Sequence, residues 1–169
     1  MSISLKNAAV LSIIVAFAMT VNSTTNAAEK IEQTYVKNNF ITASKTTLPL
    51  GDGHEVAQEL SIADIKYSTD FNTKSEWAYI HTYTINGSGK QTGYYVDTHE
   101  DGTQTYGTFE GTIETIAKPD GSWKSHWEGT YKYVGGTGKF KNIKGNGEYK
   151  GQASSEEPAR EEGKEVIEY

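Results

Sequence analysis

From residue 50 onwards the chain is punctuated by Asx-Gly pairs: Asp52-Gly53, Asn86-Gly87, Asp101-Gly102, Asp120-Gly121 and Asn146-Gly147. Asn or Asp followed by glycine suits the positive-φ conformations of tight hairpin turns, so the alternating runs between such pairs read as antiparallel strands. Eight candidate strands result, roughly over residues 31–44, 55–67, 76–86, 91–99, 103–117, 122–134, 139–150 and 164–169. The second, "EVAQELSIADIKY", also fits a helical stripe through Val56, Leu60 and Ala63, and is assigned here to a strand.

The clearest period of two lies in "SWKSHWEGTYKYV". Trp123, Ser125, Trp127, Gly129, Tyr131 and Tyr133 share one face, and Lys124, His126, Glu128, Thr130 and Lys132 share the other, so one face is dry and one wet. In "TYGTFEGTIETI", Gly107, Phe109, Gly111 and Ile113 share a face, which turns Glu110 and Glu114 to solvent, because an unpaired buried carboxylate is costly. Eight short antiparallel strands, each with one dry face, predict an all-β, eight-stranded antiparallel up-and-down β-barrel, which removes the edges an open sheet would expose. Glycines inside the strands, at 107, 111, 129, 145 and 147, fit the sharp coiling of a small barrel. An open β-sandwich is the alternative, and it lacks the long connections of a Greek key. The charged stretch "SSEEPAREEGKE", residues 154–165, reads as a solvated loop before the last strand.

Lys6 is the sole charged side chain before Glu29, and the apolar run Ala8–Val21 is followed by the small, polar segment "NSTTNAA". That layout predicts a signal peptide over residues 1–28, with a single domain over 29–169 and a secreted or periplasmic destination. The apolar run is shorter than the about 20 residues a spanning helix needs, so no membrane span is expected after cleavage. Without residues 1–28 the chain carries 15 basic against 22 acidic side chains, a net charge of −7. An acidic surface is a poor partner for nucleic acid, whose binders displace counterions with a cationic face. With no cysteine, neither disulfides nor thiol chemistry is open to the fold. Eleven tyrosines, three tryptophans and five phenylalanines supply large side chains to fill a core instead.

Cofactor motifs are missing where glycines suggest them. A phosphate loop ending at Gly138-Lys139 would need glycine at 133, which is Tyr, and a hydroxyl at 140, which is Phe. A dinucleotide fingerprint from Gly136 and Gly138 would need glycine at 141, which is Lys. The four histidines never fall in a zinc spacing, and "DTHEDG" (Asp97, His99, Glu100, Asp101) reads as a solvated acidic turn rather than a cation loop. No metal site and no cofactor are therefore expected.

"YVGGTGKFKNIKGNGEYKG" followed by "KEVIEY" resembles the end of the dirigent proteins. In that family a V-G-G-T-G-K-F-R turn leads into a glycine-containing strand and a final V-x-E-Y strand; the match is local over Val134–Phe140 and looser over Val166–Tyr169. "SGKQTGYY" is similar to the family's G-R-A-Q-G strand, so the resemblance spans at most residues 88–169. The wider group includes the allene oxide cyclases and bacterial relatives. The resemblance implies a cofactor-free eight-stranded barrel with a ligand cavity and a homo-oligomer, a trimer. Lys90 or Thr92 stands where the family's arginine would be, the early acidic motif has no counterpart, and the cysteines of plant members are missing. The radical-coupling activity is not implied.

Two aromatic groups are the candidate site. In "EWAYIHTYTI", Trp77, Tyr79, His81 and Tyr83 alternate onto one strand face, about 6.8 Å between successive members. If that face lines a cavity, His81 between two phenols is the candidate for proton transfer, since imidazole titrates near neutrality; an ordinary core or outer-face row has the same pattern. Trp123, Trp127 and Tyr131, spaced by Gly129, are candidate walls for a flat apolar ligand. The expected function is binding of a small apolar or aromatic molecule. A cofactor-independent cyclase, isomerase or coupling guide is the alternative, and a structural or interaction barrel with a filled interior is the third reading.

Overall fold

The computed structural model describes residues 30–169, so the predicted signal segment lies outside the described residues. Eight strands follow one another: β1 (Lys30–Gly51), β2 (His54–Tyr67), β3 (Thr73–Ile85), β4 (Ser88–His99), β5 (Gln104–Ala117), β6 (Trp123–Gly136), β7 (Lys144–Ser154) and β8 (Arg160–Glu168). Each pairs antiparallel with the next, and β8 pairs with β1, which closes the strands into a ring. The segment with helical periodicity is strand β2, because ladders with β1 and β3 on both sides satisfy its backbone groups. Its inward face, through Ala57, Ser61, Ala63, Ile65 and Tyr67, is buried along its length.

Four of the Asx-Gly pairs make turns. Asp52-Gly53 and Asn86-Gly87 have positive φ at both residues, the two-residue hairpin geometry their chemistry favours. Asn146-Gly147 does not turn the chain: it lies inside β7, with Asn146 opposite Lys132 and Gly147 opposite Tyr131. The space above Gly147 is filled by the Tyr131 ring, which a Cβ there would meet at 2.4 Å.

That pairing is one of a set. Inside the ring Gly93 faces Phe109, Gly107 faces Tyr95, Gly129 faces Tyr149, Gly151 faces Trp127 and Gly163 faces Tyr35, all in direct cross-strand register. Each ring lies over the glycine of the neighbouring strand, where a Cβ would come within 2.6 Å of it. The interior glycines thus admit large rings that a narrow ring of strands would otherwise exclude, and they permit its curvature.

The segment 138–143 departs from the expected strand. Gly138 takes a positive φ, Gly138–Phe140 form a short 3-10 turn, and β7 begins only at Lys144. The driving force is burial: Phe140, 1% exposed, and Ile143 drop into the lower end of the ring. There Phe140 packs on His99, Phe71 and Tyr169, with ring centroids 4.5, 5.1 and 4.7 Å apart. This aromatic plug closes one end.

The other end is looser. A bulge between Asn38 and Ile41, with Asn39 at a φ of 54°, bends β1. Beyond Lys37 that strand pairs with β2 but not with β8. Inward positions in the upper half are small: Ala57, Ser61, Ala78, Thr82, Ser125 and Ala153. A ring of eight strands either fills its interior or keeps room for one ligand. This one is filled below by tyrosines and left hollow above.

Candidate functional site

The hollow is a cavity of about 660 Å³. Its upper walls are apolar, with Ile80, Phe109, Ile113, Trp123 and Trp127 among them. Phe40, carried over by the bend in β1, meets Trp127 edge to face, with centroids 6.3 Å apart. The floor is polar and charged.

Three charged groups make that floor. Lys37 on β1 reaches both oxygens of Glu76 on β3, each at 2.7 Å, and Oε1 of Glu161 on β8 at 2.9 Å. Trp127 donates its indole N–H to the other Glu161 oxygen at 2.8 Å, and Tyr35 donates its hydroxyl to Oε1 at 3.3 Å. Burial favours a neutral amine, yet the carboxylates of Glu161 and Glu76 outweigh it and raise the Lys37 pKa well above the usual lysine value. Lys37 is therefore a fixed cation.

Directly opposite Glu76 in the β3–β4 register stands Asp97, which is 0% exposed. Burial, then the adjacent Glu76 carboxylate, raise its pKa well above the usual aspartate value. Glu76 is raised by burial too, but Lys37 opposes the shift. Burial thus draws both neighbouring carboxyls towards the protonated form, Asp97 more strongly than Glu76. Thr105 on β5 lies 3.4 Å from Asp97 Oδ2 and 3.3 Å from His99 Nε2, and His99 Nδ1 lies 3.0 Å from the Phe71 carbonyl oxygen. Burial lowers the His99 pKa, which keeps the ring neutral and sets Nδ1–H as the donor to that carbonyl.

Beneath the cavity a second carboxylate, Glu165 on β8, accepts from Gln33, Tyr131 and Tyr133. Its pKa is raised by burial against the pull of those three donors. Burial likewise pushes the phenols of Tyr35, Tyr67, Tyr95, Tyr131 and Tyr133 upward, so all of them stay protonated donors. The Tyr95 hydroxyl and Asp97 Oδ1 are buried without a hydrogen-bond partner, and both residues line the cavity.

The aromatic candidates separate into two groups. Trp123, Trp127 and Tyr131 line the cavity. Trp77, Tyr79, His81 and Tyr83 do not: the alternation of β3 turns Glu76, Ala78, Ile80, Thr82 and Thr84 inward and leaves Trp77 45% exposed on the outer wall. The expectation of a histidine between phenols inside the ring is thereby corrected. Tyr83 instead bonds His54 at 2.6 Å on the outside, and His81 packs on Tyr79. With Val56, Ile62 and Tyr94, which pair with Tyr83, Trp77 and Tyr79, this row makes an exposed aromatic face over β2–β4.

Two stretches read as solvated are also corrected. In "DTHEDG" the alternation of β4 sends Asp97 and His99 inward; Glu100 and Asp101 are the exposed turn acids expected, and Thr103 and Lys139 hold the Asp101 pKa low. In residues 154–165 the loop is shorter than expected, and β8 starts at Arg160 with Glu161 and Glu165 turned inward. The signal was present in "EEGKEVI", where Glu161, Gly163, Glu165 and Ile167 share one parity with the apolar end of the strand. Glu110 and Glu114 are exposed, as their face requires. Among the described residues no group of three or more His, Cys, Asp or Glu side chains is placed to hold a metal ion. No family model and no curated protein matches this chain.

Proposed function

We propose that the protein binds a small apolar or aromatic molecule inside its ring of strands. The observation that carries this reading is the cavity of about 660 Å³, walled by aliphatic and aromatic side chains over a charged floor. Pockets for drug-sized ligands run about 300–1,000 Å³ and have the same makeup, mostly apolar with a few placed polar groups. A ring serving only as a structural element has no need of such a hollow. Native mass spectrometry of the gently purified protein is expected to show a small-molecule adduct. Ala78→Phe, which fills the cavity from β3, is expected to remove the adduct while His81→Ala on the outer wall keeps it. An adduct that survives Ala78→Phe would place the ligand elsewhere and sink the reading.

A second reading, cofactor-free acid–base conversion of the bound molecule by a cyclase or isomerase, is favoured by one observation. Glu76 and Asp97 are cross-strand neighbours at the cavity floor, and burial raises the pKa of both. We also read the ring as a relative of the dirigent and allene oxide cyclase barrels, exported after loss of residues 1–28. The consecutive strand order and the Val134–Phe140 segment support the kinship, and the apolar run Ala8–Val21 supports the export. The implied homo-oligomer, a trimer, has the aromatic outer face of β2–β4 available to it.

A further inference from the structure

We infer that the cavity selects ligands bearing a protonated amine and rejects carboxylates, so that its natural occupant is an amine-headed apolar or aromatic molecule. The inference rests on the binding reading above and adds the chemistry of the ligand's head. It follows from a count of donors and acceptors at the floor. Among the described residues Lys37 is the one cation there, and an ammonium has three N–H donors. All three are spent, two on Glu76 and one on Glu161. At the mouth Lys45 is likewise taken by Glu59, 3.3 Å away. Of the neutral donors, the Gln91 amide gives one N–H to the Tyr149 hydroxyl at 3.0 Å, and the Tyr95 O–H offers an uncharged bond, weaker than a charge-assisted one. A carboxylate head entering the cavity meets no cationic donor that is not already bound to another carboxylate.

A cation meets the opposite situation. Four carboxylates, Glu55, Glu59, Glu76 and Glu161, line the cavity against Lys37 and Lys45, with the Asp97 carboxyl beside Glu76. Each carboxylate has about four lone-pair sites. Glu161 accepts from Lys37, Tyr35 and Trp127, and Glu76 accepts from Lys37 and lies against the Asp97 carboxyl, so acceptor capacity remains on both. Two further acceptors stand beside them without partners: the hydroxyl oxygen of Tyr95, 6% exposed, and Asp97 Oδ1. The aromatic rings of Trp127, Tyr131 and Tyr149 in the same wall add faces that attract a cation. Surplus acceptors, a surplus of negative charge and aromatic walls together describe an ammonium site with an apolar extension above it.

The test uses three probes of equal shape: phenylbutylamine, phenylbutanol and phenylbutyrate, titrated calorimetrically into the full mature protein at neutral pH and moderate salt. Fluorescence is a second readout, because the Trp127 ring lines the wall and its indole N–H reaches Glu161 on the floor. The amine is expected to bind about tenfold or more tightly than the alcohol, and the carboxylate most weakly, as a charge-assisted bond at a low-dielectric site requires. Glu161→Gln is expected to lower amine affinity about tenfold while leaving the alcohol unchanged. The wild-type ranking decides the matter even if that variant does not fold. Because the chain is acidic, amines also bind its surface, so Ala78→Phe must abolish the amine signal; persistence there overturns the inference. An alcohol or carboxylate that binds as well as the amine overturns it too, while the cavity reading stands. Silence from all three probes overturns it, and if native mass spectrometry also shows no adduct, the cavity reading falls with it.

Discussion

Lys37→Met is expected to destabilise the protein by about 3–5 kcal/mol at neutral pH, the cost of leaving a buried ion pair with one partner removed. Here the loss strands two carboxylates, since Glu76 and Glu161 both depend on Lys37 and all three side chains are at least seven-eighths buried. Urea denaturation as a function of pH gives the diagnostic. Glu76, Asp97 and Glu165 have folded pKa values raised above their unfolded ones, so the native state binds more protons than the unfolded state. Stability therefore rises as pH falls from the raised values towards the unfolded carboxyl range near about 4. The slope is expected to be steeper in Lys37→Met, because Glu76 and Glu161 then lack their cation. The Lys37 shift has the same sign in a far more alkaline window. Its folded pKa is raised, so its contribution is complete below the unfolded lysine value and is lost as pH climbs through the folded one. A flat difference between wild type and Lys37→Met from pH 5 to 9 would show that the triad does not carry charge as described.

Glu165→Leu is the second large effect. The side chain is an acceptor shared by Gln33, Tyr131 and Tyr133, which come from β1 and β6. Leucine has similar bulk and no acceptor, so three buried donors lose their partner at about 1–3 kcal/mol for each that cannot turn elsewhere. A total of about 3 kcal/mol or more is expected in equilibrium unfolding. Glu165→Gln, which keeps one carbonyl acceptor, is expected to cost clearly less. If leucine proves neutral, the buried carboxylate is held at its own expense and the phenols satisfy one another, an outcome known for other buried charges. Comparison with Lys37→Met also separates two roles: Glu165 lies below the cavity, so its loss should affect stability more than ligand affinity.

Much of the frame was legible in advance. Asp52-Gly53 and Asn86-Gly87 state their hairpins outright, because few residue pairs tolerate two successive positive φ values. The dry face of β6, with Trp123, Trp127 and Tyr131, follows from strict alternation, and those residues do line the cavity. On β3 alternation is equally strict, yet it left open which side is inside. Trp77, Tyr79 and Tyr83 are larger and more apolar than Glu76, Ala78 and Thr82, and burial by size alone would turn them inward. The space inside decides otherwise: at this strand the interior already holds the Tyr35, Tyr95 and Tyr149 rings and a lysine that needs Glu76 as partner.

Glu161, Glu165 and Asp97 escaped for a related reason. A carboxylate in a local window carries only its desolvation cost, which argues for solvent. Its compensation lies on strands far away in the chain, at sequence separations of 126 for Tyr35 and Glu161 and 132 for Gln33 and Glu165. Turn chemistry and side-chain alternation are properties of a few adjacent residues, so the chain by itself determined that there are eight antiparallel strands, and which residues share each face. Which face turned inward, and that a charged floor with a surplus of carboxylates sits under an apolar hollow, was decided only by closure of the ring. Closure brings β8 against β1 and sets Gly163 opposite Tyr35, and the energy of a buried charge exists only once its partners stand around it.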